Sequence, residues 1–283
     1  MTDKLRINTF GRLIPHEVAQ AKGFYAAEEL EVEHASTTAS KVQMQELKDG
    51  VWDVVHTHPD NVFWWNEDNA ADLLIVLALP AEPNLIFVVS PEINSWEDLR
   101  GKTIAADASE SGFVTPLRVM MKEHGLAEEG RDYFFEEIGA NRVTALREGR
   151  FVGSMLNRGA ERELVDLGFH VLDDIKRIYT HYANIAVSRR QWVVDNPEIV
   201  VRYLRAHMRA LLWLDDPASA SDADHFAAPG RSRGFRTAPP FEWDGLREMM
   251  QTRRDAGLLR GPVDLKRFAD DSYYVKATEG LSS

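Results

Sequence analysis

The sequence contains no cysteine, and this absence excludes several kinds of chemistry at once. Disulfide bridges, zinc–thiolate centres and thiolate nucleophiles all need cysteine sulfur. The chain also has no H-E-x-x-H zinc motif, no EF-hand loop, no His/Asp cluster of metal-ligand spacing and no G-x-S-x-G elbow. We therefore expect neither a metal nor a cofactor.

Long apolar runs are missing as well. The most apolar early stretch, residues 72–90, is interrupted by Pro80, Glu82 and Pro83, so no membrane span is predicted. The N-terminus passes from its first charges straight into strand-like alternation, without the apolar core of a secretory signal. We expect a cytoplasmic protein on this basis, and a periplasmic or extracellular one if a leader precedes these residues.

Positive charge is scarce relative to negative charge. Lys and Arg number 33 against 45 Asp and Glu, which gives a formal net charge of −12. This balance opposes binding to a nucleic-acid backbone, which normally uses a basic face. It leaves an anionic small molecule open as a ligand, because a few local donors are enough to hold one.

The hydrophobic pattern predicts an α/β protein made of two strand–helix series. Strands are predicted at residues 5–10, 30–34 and 52–56, each followed by a helix, the first of which is predicted over residues 17–29. A second series runs from about residue 93 to residue 187 and includes a predicted strand over residues 103–106 and a predicted helix over residues 161–167. Strands that alternate with helices at this spacing form sheets that are mostly parallel.

Two further predicted strands, residues 85–90 and 184–188, fall at the junctions between the series. They are natural crossing strands between two lobes. The chain after Pro197 is predicted to be helical, except for a polar, Pro/Gly-rich stretch over residues 215–240 that is typical of a loop or lid.

Several segments, taken in order, resemble a known family of proteins. The chain resembles periplasmic-binding-protein-like proteins of the nitrate/sulfonate/taurine and thiamine-pyrimidine-precursor type over about residues 4–215. The segments that carry the resemblance are HEVAQAKGFYAAEELEVEHASTTAS, ELKDGVWDVV, SWEDLRGKTIAADASESGF, TALREGRFVGSM and NPEIVVRYLRAHMRALLWL.

The resemblance implies a two-lobed type-2 periplasmic binding protein fold. Each lobe would be a mixed, mostly parallel sheet flanked by helices, with two crossing strands as the hinge. Lobe I would comprise residues 1–90 and 188–283, and lobe II residues 91–187. In such folds the ligand lies between the lobes, where strand ends meet helix beginnings.

Lobe I is expected to supply the loops that follow its first strands. Arg12 has the forked guanidinium that suits a carboxylate or sulfonate, and Phe10 and His16 flank it. A surface Arg and a helix-start His are the alternative. Thr38 is the hydroxyl we select from the second loop, although helix capping is the more common role of such a hydroxyl.

The third loop, H-T-H-P-D, is the most informative segment. His56 and His58 end a strand just before a helix that starts with Pro59. Imidazole titrates near neutral pH, which suits proton transfer or hydrogen bonding to a ligand. A polar loop without such a role is the alternative.

Lobe II is expected to supply a loop of small residues before a helix. Ser109, Ser111 and Gly112 would let backbone N–H groups approach an anion closely, and Phe113 would cover it. An ordinary capped turn is the alternative reading of this loop.

Three more residues complete the predicted cleft. Asn157 and Arg158 directly follow a strand, and Arg158 is a second candidate for clamping an anion. Tyr182 lies just before the return to lobe I and would help to close the cleft.

Two functions fit these features. The first is a receptor that binds a small anionic molecule, an aromatic carboxylate or a sulfonate-like compound, as an ABC-transporter-type substrate-binding protein with a permease as partner if exported. The second is a cytoplasmic enzyme on the same fold, a decarboxylase, desulfinase-like lyase or hydrolase of a small aromatic acid. It would use His16, His56 or His58 for acid–base chemistry. Related desulfinases and pyrimidine synthases depend on cysteine, so their mechanisms do not transfer to this chain.

Overall fold

The computed structural model describes residues 2–226, 237–259 and 264–281. Within these ranges, no helix combines the length and the apolar character needed to cross a bilayer. The described chain forms two five-stranded sheets with helices packed around them. The α/β, two-lobed fold predicted from the sequence is therefore confirmed.

The strands alternate with helices as the hydrophobic pattern predicts. The strands are β1 Asp3–Phe10, β2 Leu30–Thr37, β3 Val54–Thr57, β4 Leu73–Pro80, β5 Leu85–Val89, β6 Thr103–Ala106, β7 Phe134–Glu137, β8 Gly153–Asn157, β9 His170–Asp174 and β10 Ala183–Arg189. The helices are α1 Ile14–Ala21, α2 Phe24–Ala27, α3 Ser40–Lys48, α4 Pro59–Asp68, α5 Val114–Glu123, α6 Arg142–Arg147, α7 Arg190–Asp195, α8 Pro197–Asp215, α9 Ala220–Ala223, α10 Trp243–Asp255 and α11 Ser272–Thr278.

The two sheets are built on the same plan. The first has the strand order β2-β1-β3-β10-β4 and the second β7-β6-β8-β5-β9. In each sheet three neighbouring strands are parallel, and the fourth, β10 or β5, runs antiparallel to both of its neighbours. That fourth strand is the first one that the chain forms after leaving the other sheet.

The chain passes between the sheets twice, once between β4 and β5 and once between β9 and β10. Strand β5 therefore lies in the second sheet and β10 in the first. The lobe boundaries at residues 90 and 188 remain a prediction. For the description below, lobe I is the part built on the first sheet and lobe II the part built on the second.

The most apolar strand, β4, lies at the end of its sheet and is nevertheless buried. The sequence of β4, LLIVLALP, is buried at all but its last residue. Its outer edge is covered by the C-terminal segment, where Ile75 N–H donates to the Phe268 carbonyl at 2.8 Å and Asp270 N–H donates to the Ile75 carbonyl at 3.0 Å. This pairing satisfies an edge that would otherwise expose free backbone groups.

Three local predictions differ from the structure. The helix predicted over residues 17–29 is two helices, α1 and α2, because Gly23 between them has a left-handed φ of 72° that ends a regular helix. The helix predicted over residues 161–167 is a pair of short 3-10 turns. The stretch 215–240 contains a 3-10 turn and α9, while its residues 227–236 lie outside the described ranges.

Candidate ligand cleft between the lobes

The loops that end the parallel strands of both lobes face each other. The helix starts at α3 and α4 lie in lobe I, and the loop before α5 lies in lobe II. Gly112 of lobe II packs directly on the His58 ring of lobe I. A Cβ built on Gly112 would lie 1.9 Å from His58 Nδ1, so only glycine permits this approach.

His58 caps helix α4 and connects three parts of the molecule. Its Nδ1 accepts a hydrogen bond from the Asp60 N–H at 3.2 Å and lies 3.1 Å from Asp60 Oδ2. Its Nε2 lies 2.8 Å from the hydroxyl of Tyr182, just before β10. Burial raises the pKa of Tyr182, with the nearby Asp60 acting in the same direction, so the phenol stays protonated at neutral pH. His58 and Tyr182, both predicted for the site, thus lie side by side.

A group of imidazoles and phenols lies behind this loop in lobe I. His16 Nδ1 is 3.2 Å from the Tyr25 hydroxyl, and the His16 ring centroid is 4.5 Å from that of His34. His34 Nε2 is 2.8 Å from the Thr9 hydroxyl. Burial, with a smaller contribution from the neighbouring His34, lowers the pKa of His16 to about 4. His16 is therefore neutral at physiological pH.

His56 belongs to the same group and points away from His58. Its Nε2 is 2.7 Å from the Tyr203 hydroxyl, and its ring stacks on His207 with centroids 5.2 Å apart. Burial lowers the pKa of His56 to about 3, assisted by the charges that His16 and His34 would carry. Both partners come from α8, so two of the contacts that hold His56 involve the long helix after the return to lobe I.

The small-residue loop of lobe II carries carboxylates as well as hydroxyls. Ser111 Oγ donates to Asp107 Oδ1 at 2.5 Å, and Ser40 Oγ of lobe I donates to Asp107 Oδ2 at 3.4 Å. The Ser109 N–H and Oγ both donate to Glu137 Oε1, at 2.9 and 2.7 Å.

Glu137 also forms an ion pair with Lys41 of lobe I. Burial acts to raise the pKa of Glu137, but the donors Lys41 and Ser109 outweigh burial and hold this pKa below its ordinary value. Two polar contacts, Ser40–Asp107 and Lys41–Glu137, therefore join the start of α3 to lobe II.

The two arginines predicted to clamp an anion both have carboxylate partners on the surface. Arg12 forms a two-pronged ion pair with Glu17, with its Nε donating to Glu17 Oε1 at 2.8 Å. Arg158 forms an ion pair with Asp174. Their side chains are 65% and 43% exposed, so each would have to leave its partner to bind a ligand. Three other predicted contacts, Phe10, Thr38 and Asn157, are exposed.

Sequence reasoning missed a buried arginine beside the loop of lobe II. Arg142 donates from Nε to the Met155 carbonyl at 3.2 Å and from Nη1 to the Gly139 carbonyl at 2.6 Å. Its guanidinium lies over the Phe113 ring, 4.7 Å from the centroid. Burial lowers the pKa of Arg142, and Asp107 opposes that shift. A small hollow is lined by Arg142, Asp107 and Phe113 among others.

A larger cavity of about 540 Å³ lies elsewhere in lobe II. Its lining includes Lys102, Arg147, Arg150 and Phe151, at the opposite ends of the strands from the cleft loops. Arg147 and Arg150 both have carboxylates within 4.0 Å, Glu163 in the case of Arg147. This cavity shares no lining residue with the loops that meet between the lobes.

A comparison with models of protein families identifies the family of this chain. The family model described as NMT1/THI5 like matches residues 12–220, which is most of the chain. The chain is a member of the NMT1/THI5-like family. No curated protein sequence matches it.

Solved structures share the fold of this NMT1/THI5-like chain at low sequence identity. The alkanesulfonate-binding protein SsuA from Xanthomonas axonopodis pv. citri, bound to MOPS, is 15% identical with a TM-score of 0.72, covering 96% of this chain and 100% of that one. The periplasmic nitrate-binding protein NrtA from Synechocystis PCC 6803 is 13% identical with a TM-score of 0.75, covering 99% and 89%.

An enzyme is also among the structures similar to this NMT1/THI5-like chain. The desulfurization enzyme DSZB is 17% identical with a TM-score of 0.65, covering 98% of this chain and 99% of that one. The same fold therefore includes both binding proteins and an enzyme, and a choice between these functions has to rest on the residues of the cleft.

Proposed function

We propose that this NMT1/THI5-like chain is a substrate-binding protein of the ABC-import type, which holds a small anionic molecule between its lobes. The observation that carries the proposal is the direct meeting of two strand-end loops, with Gly112 against the ring of His58. Loops from separate lobes that meet in this way can close over a ligand by hinge motion. An ABC permease would be the partner of such a protein.

An anionic ligand is favoured by the chemistry of the lobe II loop. The N–H and hydroxyl of Ser109 already hold one carboxylate oxygen, that of Glu137. A ligand carboxylate or sulfonate presents the same acceptors in the same size range. Ser111 and the start of α5 lie next to this position, where the helix dipole favours negative charge.

Aromatic character in the ligand is favoured by the rings that line the cleft. The Phe113 ring lies under the guanidinium of Arg142, and the Tyr182 ring stands edge-on to that of His58 with centroids 5.6 Å apart. Flat side chains of this kind stack readily on a planar ligand. We therefore propose an aromatic carboxylate or sulfonate as the ligand class.

A second function is favoured by one specific contact. The His58 imidazole has Asp60 at 3.1 Å from Nδ1 and the Tyr182 hydroxyl at 2.8 Å from Nε2. An imidazole with one nitrogen held by a backbone donor, here the Asp60 N–H, and the other facing a hydroxyl is placed to move a proton in general acid–base catalysis. His58 is accordingly the residue that would carry a decarboxylation or hydrolysis, whereas His56 is held within lobe I by Tyr203.

The two functions are separated by incubating the protein with benzoate, benzenesulfonate, taurine and nitrate, and measuring both the melting temperature and the chemical fate of each compound. We expect at least one aromatic anion to raise the melting temperature and to be recovered unchanged. Turnover of a compound, abolished by His58→Ala, would support the enzyme instead. Absence of both stabilisation and turnover with every aromatic anion would refute the proposed ligand class.

A further inference from the structure

Helix α10, which follows the return of the chain to lobe I, contributes one arginine to the contact between the lobes. Arg253 is completely buried. Its Nη1 donates to the Glu110 carbonyl at 3.0 Å, and its Nη2 donates to Glu110 Oε2 at 2.8 Å. The same Nη1 lies 3.7 Å from Oδ1 of Asp60, which is also completely buried. Arg253 thus contacts the ligand loop of lobe II and the helix that His58 caps in lobe I.

Helix α10 lies between the lobes rather than on one of them. It packs on α4 of lobe I and on α5 of lobe II. Met249 and Met250 of α10 belong to the same buried apolar cluster as Leu117 and Met121 of α5. Lys122 of α5 donates from Nζ to the Asp255 carbonyl at the end of α10, at 3.2 Å. The helix therefore has packed partners on both sides.

The charges in this contact need one another. A guanidinium without exposure to water is stable only when it is paired, because desolvation of a lone charge costs several kcal/mol. Within the described ranges, neither carboxylate oxygen of Asp60 has a hydrogen-bond donor. Arg253 Nη1 lies 3.7 Å from Asp60 Oδ1, and His58 Nδ1 lies 3.1 Å from Asp60 Oδ2. If the lobes separated, Glu110 would move away and leave Arg253 and Asp60 with a weaker set of partners.

We propose that Arg253 is a positioning residue, which holds the His58 loop of lobe I and the Glu110 loop of lobe II in the closed arrangement. Helix α10 links the two lobes across the cleft. The ion cluster of Arg253, Asp60 and Glu110 stabilises the closed arrangement together with contacts to the ligand. The inference deepens the proposed function and rests on it for its biological meaning. Its physical content, control of the distance between lobes, is measurable without any ligand.

The test uses the absence of cysteine in the chain. Val51→Cys in lobe I and Val171→Cys in lobe II place spin labels at exposed positions, 45% and 43% accessible, with no background labelling. Distances between the labels are measured by electron–electron double resonance in the ligand-free protein. The labelled chain is compared with Arg253→Met, with Arg253→Lys and with Arg247→Met.

Arg247 is the matched control because it lies on the same helix, is 62% exposed and, among the residues that the structure describes, pairs with Asp244 of α10 itself. We expect Arg253→Met to add a population with a longer distance between labels, while the protein still unfolds cooperatively. Arg253→Lys keeps the charge and should restore part of the short-distance population. Arg247→Met should leave the distribution unchanged.

The proposal is overturned if Arg253→Met lowers the melting temperature but gives the parental distance distribution, since Arg253 would then be a structural residue alone. It is also overturned if Arg247→Met shifts the distances equally. Should Arg253→Met fail to fold, Glu110→Gln decides the question, because this side chain is 26% exposed and neutralising it leaves α10 untouched. A longer distance between the labels in Glu110→Gln supports the positioning role of Arg253, and an unchanged distance refutes it. Failure of every anion to bind would remove the proposed ligand without altering these distances.

Discussion

The two sides of the cleft are built from different chemistry. On the lobe I side, the polar groups are mostly neutral rings: His16, His34 and His56 hydrogen-bond to hydroxyls, and burial lowers the pKa of each. On the lobe II side, the polar groups are a serine and glycine loop with carboxylates and one buried guanidinium, that of Arg142.

This difference suggests that the two lobes contribute differently to ligand binding. The neutral imidazoles of lobe I add no charge of their own on this side, so they neither attract nor repel an anion. The loop of lobe II, with Ser109 and Ser111 already bound to carboxylates, presents donors that a ligand anion can take over. His58 lies at the boundary between the lobes, where Gly112 of lobe II touches its ring.

Acid should destabilise the lobe I side of the cleft first, because its buried histidines are neutral in the folded protein. The pKa values of His16 and His56 lie at about 4 and about 3 in the folded protein, below the ordinary value of about 6.5. The unfolded chain therefore binds more protons below pH 6.5, and stability that is complete above this pH declines as the pH falls toward 4. At pH 5 we expect a loss of about 2 kcal/mol from each histidine.

Urea unfolding at pH 7 and pH 5 measures this loss. His16→Gln should remove about half of the pH dependence, whereas His170→Gln, at an exposed position of lobe II, should leave it unchanged. Equal pH dependence in all three proteins would contradict a buried neutral His16.

Steric crowding should disrupt the contact between the lobes at Gly112 and His58. Gly112→Ala places a methyl group 1.9 Å from the His58 ring, so we expect a loss of about 3 kcal/mol, at the upper end for overpacking. His58→Ala removes the ring that causes the clash. The double variant should therefore be less destabilised than the sum of the two single variants. Strictly additive losses in urea unfolding would show that the Gly112–His58 contact is not tight in solution.

Removal of the buried Arg142 should destabilise lobe II more than removal of the exposed Arg158. Arg142→Met removes the donor to the Gly139 carbonyl and one of the donors to the Met155 carbonyl, which keeps the Ser154 hydroxyl, and we expect a loss of about 2 kcal/mol in the free energy of unfolding. Arg158→Met removes only an exposed ion pair and should change the free energy of unfolding by less than about 0.5 kcal/mol. Similar losses in both variants would place the two arginines in comparable environments and contradict the burial of Arg142.

Much of the fold could be predicted because its elements repeat a local pattern. Strands β1, β6 and β10 were predicted within a few residues, since alternating apolar residues bounded by polar or small ones carry a clear period. The break at Gly23 and the 3-10 turns near residue 165 were missed. A left-handed glycine and a short irregular turn leave the apolar spacing almost unchanged, so periodicity does not reveal them.

The cleft was predictable only in part. The loops of His58 and Ser111 were identified correctly as strand ends, because the strand–helix order places such ends on one side of a parallel sheet. Whether Arg12, Arg158 and the other predicted residues contact a ligand remains a prediction. Arg142 and Arg253 carried no sequence signal, since an arginine in an amphipathic helix normally faces solvent.

The sequence by itself determined the alternation of strands and helices, the absence of thiol chemistry and the position of polar loops after strands, because each depends on neighbours along the chain. The tertiary structure decided which charges find partners. Arg253 meets Glu110 across 143 residues of sequence, and Arg12 is paired with a carboxylate on its own helix start. Pairing over such distances depends on how helices and sheets pack together, and no local pattern of residues records that.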